Sequence, residues 1–167
     1  IAFTDGASSE YQVMIDHMMG KDILTLFFET DCTGEEKSKV EENLAILRNL
    51  YTWNKVYRRD FWERQGLWFR EGVAYEDQPI VTQLFIAASS IDVIPDLVYL
   101  YRARDDKSSI SQQTASVKDL RDRIEAWRVS EEAFGKDPSD PIYQAWLATL
   151  FDAHFQWYLT SRGTVDD

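Results

Sequence analysis

The order of hydrophobic and polar positions changes character along the chain, and that change sets its organisation. Residues 1–4 form a short apolar run closed by Asp5-Gly6, the signature of a strand entering a turn. Tyr11, Met14, Ile15, Met18 and Met19 recur at helical spacing, with Ser8 or Ser9 as cap and Gly20 where such a helix closes. Residues 22–29 (DILTLFFE) read as a buried strand, and 30–36 are polar. Val40, Leu44, Leu47 and Tyr51 then predict a helix with Glu35 and Glu36 near its positive end.

Residues 51–59 (YTWNKVYRR) are dense in aromatic and basic side chains, and 60–66 (DFWERQG) predict a short helix stopped by glycine. Residues 71–79 (EGVAYEDQP) hold too many turn-formers and carboxylates for a core and read as a loop. Ile80, Leu84, Ala87 and Ala88 mark the next helix. Two β segments, 91–94 and 97–102, flank Pro95-Asp96, and 105–113 is a charged, Ser-rich loop. Beyond it the pattern is helical only. Ser116 and Asp119 form a capping-box pattern ahead of Val117, Leu120, Ile124 and Trp127. Asp140 and Pro141 open a last helix with Trp146, Leu147, Leu150, Phe151, His154 and Tyr158 inward. The expectation is a mixed α/β part over residues 1–111 and a helical C-terminal extension over 112–167, without internal repeats.

Composition narrows the function classes. With 167 residues, 44% of them hydrophobic, the chain is long enough for one real core. Its net charge of −11 repels phosphate backbones, which argues against a general nucleic-acid or anionic-membrane binder. A phosphate-bearing ligand must therefore find a local basic pocket. Cys32 is the single cysteine and His17 and His154 the two histidines, so neither an internal disulfide nor a Cys/His zinc cluster can be built. That usage predicts a reducing, cytoplasmic setting, and no apolar run approaches the ~18 residues that span a bilayer. The chain opens inside a strand-like run without an initiator Met, which predicts a piece of a longer protein.

Each chemical candidate has a plainer rival. Asp77, at the end of the Glu71–Asp77 loop and just before a helix, is held charged by the helix N-terminus and poised to accept a proton from a substrate hydroxyl. The plainer reading is that Glu76 and Asp77 cap that helix. Arg102 and Arg104 lie on the same side of a strand end and are followed by Ser108-Ser109-Ile110-Ser111, a clamp suited to a diphosphate. The rival is a solvated strand end. Lys55, Arg58 and Arg59 interleave with Trp53 and Tyr57; in this acidic chain, pairing with Glu71 or Glu76 is favoured over single-stranded nucleic acid. Asp5 is a candidate metal carboxylate or simply a turn residue, and His17 and His154 read as packed. Cys32 has no basic neighbour to activate it, while Trp53 and Trp68 are candidates to line a sugar site.

Four of these motifs stand in an order that resembles one family. Trp53-Asn54-Lys55-Val56-Tyr57-Arg58-Arg59, then Phe69 to Gly72, then Tyr75-Glu76-Asp77, then Tyr101-Arg102-Ala103-Arg104 with Ser108–Ser111 look like the second half of bacterial family 2 glycosyltransferases. These are inverting enzymes of the GT-A fold, many of which build cell-wall and capsular polymers. The resemblance implies the C-terminal part of a GT-A mixed sheet with flanking helices. It implies Asp77 as general base accompanied by Glu76, and Arg102, Arg104, Ser109 and Ser111 closing over the donor diphosphate. Asn54, Lys55 and Arg58 would border the cleft. Asp5 would hold a divalent cation, manganese or magnesium, although the family's second carboxylate falls near Ala7. The implied partners are a nucleotide-diphospho-sugar donor and a polysaccharide or polyol-phosphate acceptor, with no nucleic acid and with membrane association only through the rest of the protein. The strands that grip the nucleotide base in this family precede the part resembled here, so this chain alone is expected to be inactive. The alternative is a non-catalytic interaction or scaffold domain that kept the fold and lost metal and nucleotide binding.

Overall fold

A computed structural model describes residues 25–28, 37–94, 116–135 and 137–160. The chain is a mixed α/β structure. Strand β1 (Thr25–Phe28) lies inside the sheet, parallel to β3 (Lys55–Tyr57) on one side and antiparallel to β4 (Ile91–Ile94) on the other. A two-residue strand, β2 (Lys37–Ser38), pairs antiparallel with β4, giving the order β2-β4-β1-β3. Register places Phe27 beside Val56 and Asp92, so the apolar TLFF run is covered on both edges.

Helix α1 (Arg59–Gln65) follows β3 and ends at Gly66 with φ 61, the left-handed cap that the sequence signals. Helix α2 (Asp77–Ala87) begins inside the stretch read as a loop and buries Gln78, Pro79, Ile80, Val81, Thr82, Leu84 and Phe85. It buries residues round most of its circumference, the polar Gln78 and Thr82 included, rather than along one apolar stripe. Helix α3 (Val117–Glu131) packs on it; Ser116 caps α3 by accepting from the Asp119 N–H at 3.0 Å. Helix α4 (Pro141–Thr149) starts at Asp140, whose carboxylate accepts from the Ile142 N–H at 2.8 Å. It runs into a π-helical turn, Leu150–Phe155, and a final short helix α5 (Gln156–Thr160).

One apolar core joins these parts: Leu47, Leu50, Phe61, Val81, Leu84 and Ile91 share it with Phe134, Ile142, Trp146 and Leu150. Phe134, Ile142, Trp146 and Leu150, all after residue 112, thus lie in the same core as residues that precede them.

Three local expectations change. The helix predicted from Val40 to Tyr51 is instead β2 followed by turns and a 3-10 helix, Leu44–Arg48. Strand pairing of Lys37 and Ser38 with β4 takes the start of that helix, and burial of Ile46, Leu47 and Leu50 is satisfied by the shorter form. On α3, Val117 and Ile124 face solvent, while Ala126 and Ser130, small enough for close approach, form the buried face. Phe151, expected inward, is 62% exposed, because the π turn changes the helical phase and leaves Trp146, Leu150 and His154 as the buried row.

Candidate active site

The polar group with the most distinctive surroundings is Asp77. The Glu71–Glu76 approach contains two left-handed residues, Gly72 (φ 72) and Tyr75 (φ 60), and the turn closes with the Gln78 N–H donating to the Tyr75 carbonyl at 3.2 Å. This bend draws the Asp77 carboxyl in from solvent. Burial, followed by the charge of Glu76, pushes its pKa up from 3.8 to about 6, against the pull of the Asp77 and Gln78 backbone N–H groups and of Lys55. At pH 7 such a group is about nine-tenths ionised yet more basic than an ordinary aspartate.

Lys55 and Tyr57 of β3 face it electrostatically. Burial drives the Lys55 pKa well below its usual value, with the Asp77 charge pulling it back up. The ammonium donates to Asn49 Oδ1 and Asn54 Oδ1, each at 2.9 Å, and to the Tyr51 carbonyl, and stands 5.7 Å from the Phe85 ring. Its three N–H bonds are thus directed into the protein, where they tie the 49–54 segment to β3. Burial, then the Asp77 charge, raises the Tyr57 phenol pKa as well.

Behind the turn lies a second polar group that joins three separate pieces of chain. Tyr75 donates its hydroxyl proton to Asp119 Oδ1 and accepts from Arg123 Nη2 at 2.7 Å. Tyr158 donates to the other oxygen of Asp119. The Arg123 guanidinium stacks 4.2 Å from the Tyr75 ring centroid, and its Nη1 lies 3.0 Å from His154 Nδ1. Because arginine can only donate, Nδ1 accepts and the imidazole carries its proton on Nε2. Burial, then the Arg123 charge, lowers the His154 pKa to about 4. Next to this group, Trp127 Nε1 donates to Gln78 Oε1 at 3.1 Å and fixes the first turn of α2 to α3.

The residues singled out in the sequence are not all brought together. Asp77 and Glu76 stand side by side at the start of α2; Glu76 occupies the N-cap position without a side-chain cap bond and is exposed. Asn54 and Lys55 are buried beside them, 1% and 9% exposed, with their polar atoms turned inward. Arg58 lies at the surface and pairs with Asp60 at 2.5 and 2.8 Å, and Arg59 pairs with Glu63 at 2.8 Å, while Lys55 donates to Asn49, Tyr51 and Asn54. Asp5, Arg102, Arg104, Ser109 and Ser111, along with His17 and Cys32, lie outside the described residues. His154 is packed, as expected, and Trp68 is 85% exposed. A depression of about 60 Å³ flanks the Asp77 turn, lined in part by Arg70, Val73, Glu76, Asp122 and Glu125.

The sequence marks Asp119 only as half of a capping box and Tyr75 only as part of the Tyr75-Glu76-Asp77 motif, and it does not single out Arg123. The available signal was Asp119 and Arg123 four apart on one helix, with an arginine between the apolar positions Leu120 and Ile124. Among the described residues no group of three or more His, Cys, Asp or Glu side chains is assembled for a metal ion. No family model, curated protein or solved structure matches the chain.

Proposed function

We propose that this chain carries the acceptor-activating part of an inverting glycosyltransferase of GT-A type, with Asp77 as general base. The observation that carries the reading is the half-buried Asp77 carboxylate, raised to about 6 and fixed at the first turn of α2, because a base works best with a pKa near the operating pH. In the proposed step the carboxylate takes the proton from an acceptor hydroxyl as that oxygen attacks the anomeric carbon of a nucleotide-diphospho-sugar. The new C–O bond forms as the bond from the anomeric carbon to the diphosphate breaks, and the electron pair leaves with the nucleoside diphosphate.

Lys55 keeps the Asp77 environment polar on the β3 side, and Glu76 raises the basicity of its neighbour. Arg102, Arg104, Ser109 and Ser111 are the proposed diphosphate-binding residues, and Asp5 the proposed cation ligand, on the strength of the motif order alone. The parallel β1–β3 pair with antiparallel β4 beside it is compatible with part of a mixed GT-A sheet.

The test is transfer by the full-length natural protein from UDP-glucose, UDP-galactose or UDP-N-acetylglucosamine with manganese, measured as released UDP, beside Asp77→Asn. The reading expects loss of transfer with UDP binding retained. Wild-type transfer in Asp77→Asn refutes the role of Asp77, and absence of both transfer and UDP-induced thermal stabilisation favours a non-catalytic scaffold.

A further inference from the structure

We propose that Arg123, together with Asp119 and Tyr75, is a positioning device through which the helices after residue 112 hold Asp77 in its working geometry. The inference rests on the reading of Asp77 as a base and deepens it by naming what controls that group. Four observations carry it.

Tyr75, two residues before Asp77, has φ 60, a conformation that costs a non-glycine residue roughly 1–2 kcal/mol and persists only where its surroundings impose it. Its surroundings impose it here: the hydroxyl bridges Asp119 and Arg123, and the ring lies under the guanidinium at 4.2 Å. Asp119 itself is held from the far side by Tyr158, and Arg123 by His154, so the last helices brace the clamp. The Trp127–Gln78 bond fixes the next residue after Asp77 to the same helix, leaving the carboxylate between two anchored neighbours.

A purely structural role would need only packing. Here α3 instead places a half-buried guanidinium, whose Nε has no acceptor among the described residues, between Tyr75 of the loop and His154 and Tyr158 of the last helices. Release of Tyr75 lets the turn relax toward ordinary backbone angles and turns the Asp77 carboxyl out toward solvent, which removes the burial that raises its pKa. Displacement of a catalytic group by about 1 Å is enough to cost up to about 100-fold in rate.

The experiment compares Tyr75→Phe, Arg123→Lys, Arg123→Ala and Asp77→Asn in the full-length natural protein. Tyr75→Phe keeps the ring under the guanidinium and removes only the two hydroxyl hydrogen bonds, so it is the variant expected to fold. The readouts are kcat and KM for UDP-sugar transfer, the Asp77 carboxyl titration by 13C NMR, and amide exchange over residues 73–78. The proposal expects kcat in Tyr75→Phe to fall about 10- to 100-fold with little change in KM. It also expects the Asp77 titration to move toward that of an ordinary aspartate and exchange in the turn to quicken, with Arg123→Lys intermediate between wild type and Arg123→Ala. If Asp77→Asn abolishes transfer while Tyr75→Phe and Arg123→Ala keep wild-type kcat and titration, the positioning role is overturned and the function reading stands. If Asp77→Asn transfers normally, the function reading falls. The titration and exchange data then still decide whether the clamp orders the turn, and wild-type values in Tyr75→Phe refute it.

Discussion

Replacing Asp77 by Asn should make this protein more stable at neutral pH, not less. A carboxyl whose pKa rises from 3.8 to about 6 on folding binds its proton more tightly in the native state than in the unfolded chain. The stability linked to this group is therefore fully present below about pH 3.8 and is lost as pH rises through 6. The shift corresponds to about 3 kcal/mol, of which some 2–3 kcal/mol should reappear in Asp77→Asn at pH 7.5. His154 slopes the other way. Its pKa falls from 6.5 to about 4, so its contribution is present above pH 6.5 and is lost as pH falls toward 4, again by roughly 3 kcal/mol. In the wild type the two largely offset each other between pH 4 and 7, and the stability profile should be shallow there. Asp77→Asn removes one slope and exposes the other. Urea unfolding followed by tryptophan fluorescence at intervals from pH 4 to 8 measures both effects. The reasoning fails if Asp77→Asn is no more stable than wild type at pH 7.5, or if the gap between them does not close toward pH 4.

Four further outcomes follow from particular contacts. Trp146→Ala should cost about 3–5 kcal/mol and lower one shared unfolding transition, because Trp146 lies in the core that joins α4 to α2 and the sheet; two separate transitions in calorimetry would contradict a common core. Ser116→Ala removes the bond to the Asp119 N–H and should cost about 1 kcal/mol, read by denaturant midpoint; no change would mean that the cap is already supplied by another group. Trp68→Ala should leave stability within about 0.5 kcal/mol, since that ring is 85% exposed, and a larger loss would mean that the ring is covered in solution. His154→Gln should flatten the acid limb that Asp77→Asn uncovers, and persistence of that limb in the double variant would assign it to another group.

Residues whose signals are local and self-contained were legible in the sequence. Gly66 closing α1, Ser116 and Asp140 capping α3 and α4, the β character of 91–94 and the buried His154 all follow from short-range chemistry. What the sequence hid depends on distant partners. Lys37 and Ser38 become a strand because β4 offers an edge, and Val117 and Ile124 face solvent because α3 presents Ala126 and Ser130 to α2. The same holds at the candidate site. The position of Asp77 before an apolar helix was visible, but the expectation that the helix N-terminus holds it charged is reversed, because burial and then Glu76 raise its pKa against the opposing pull of the backbone N–H groups and Lys55. Asp119 read as half of a capping box, but its carboxylate is used by Tyr75 and Tyr158, residues 44 and 39 positions away.

Whether Asp77 acts as a base near neutral pH, as proposed, is decided by the pH dependence of UDP-sugar transfer by the full-length natural protein. The rate is expected to rise with pH through an apparent pKa of about 6 and to fall by roughly 10²–10⁴-fold in Asp77→Asn, with the limb near pH 6 gone. Transfer at the wild-type rate in Asp77→Asn, with the same limb intact, would contradict it.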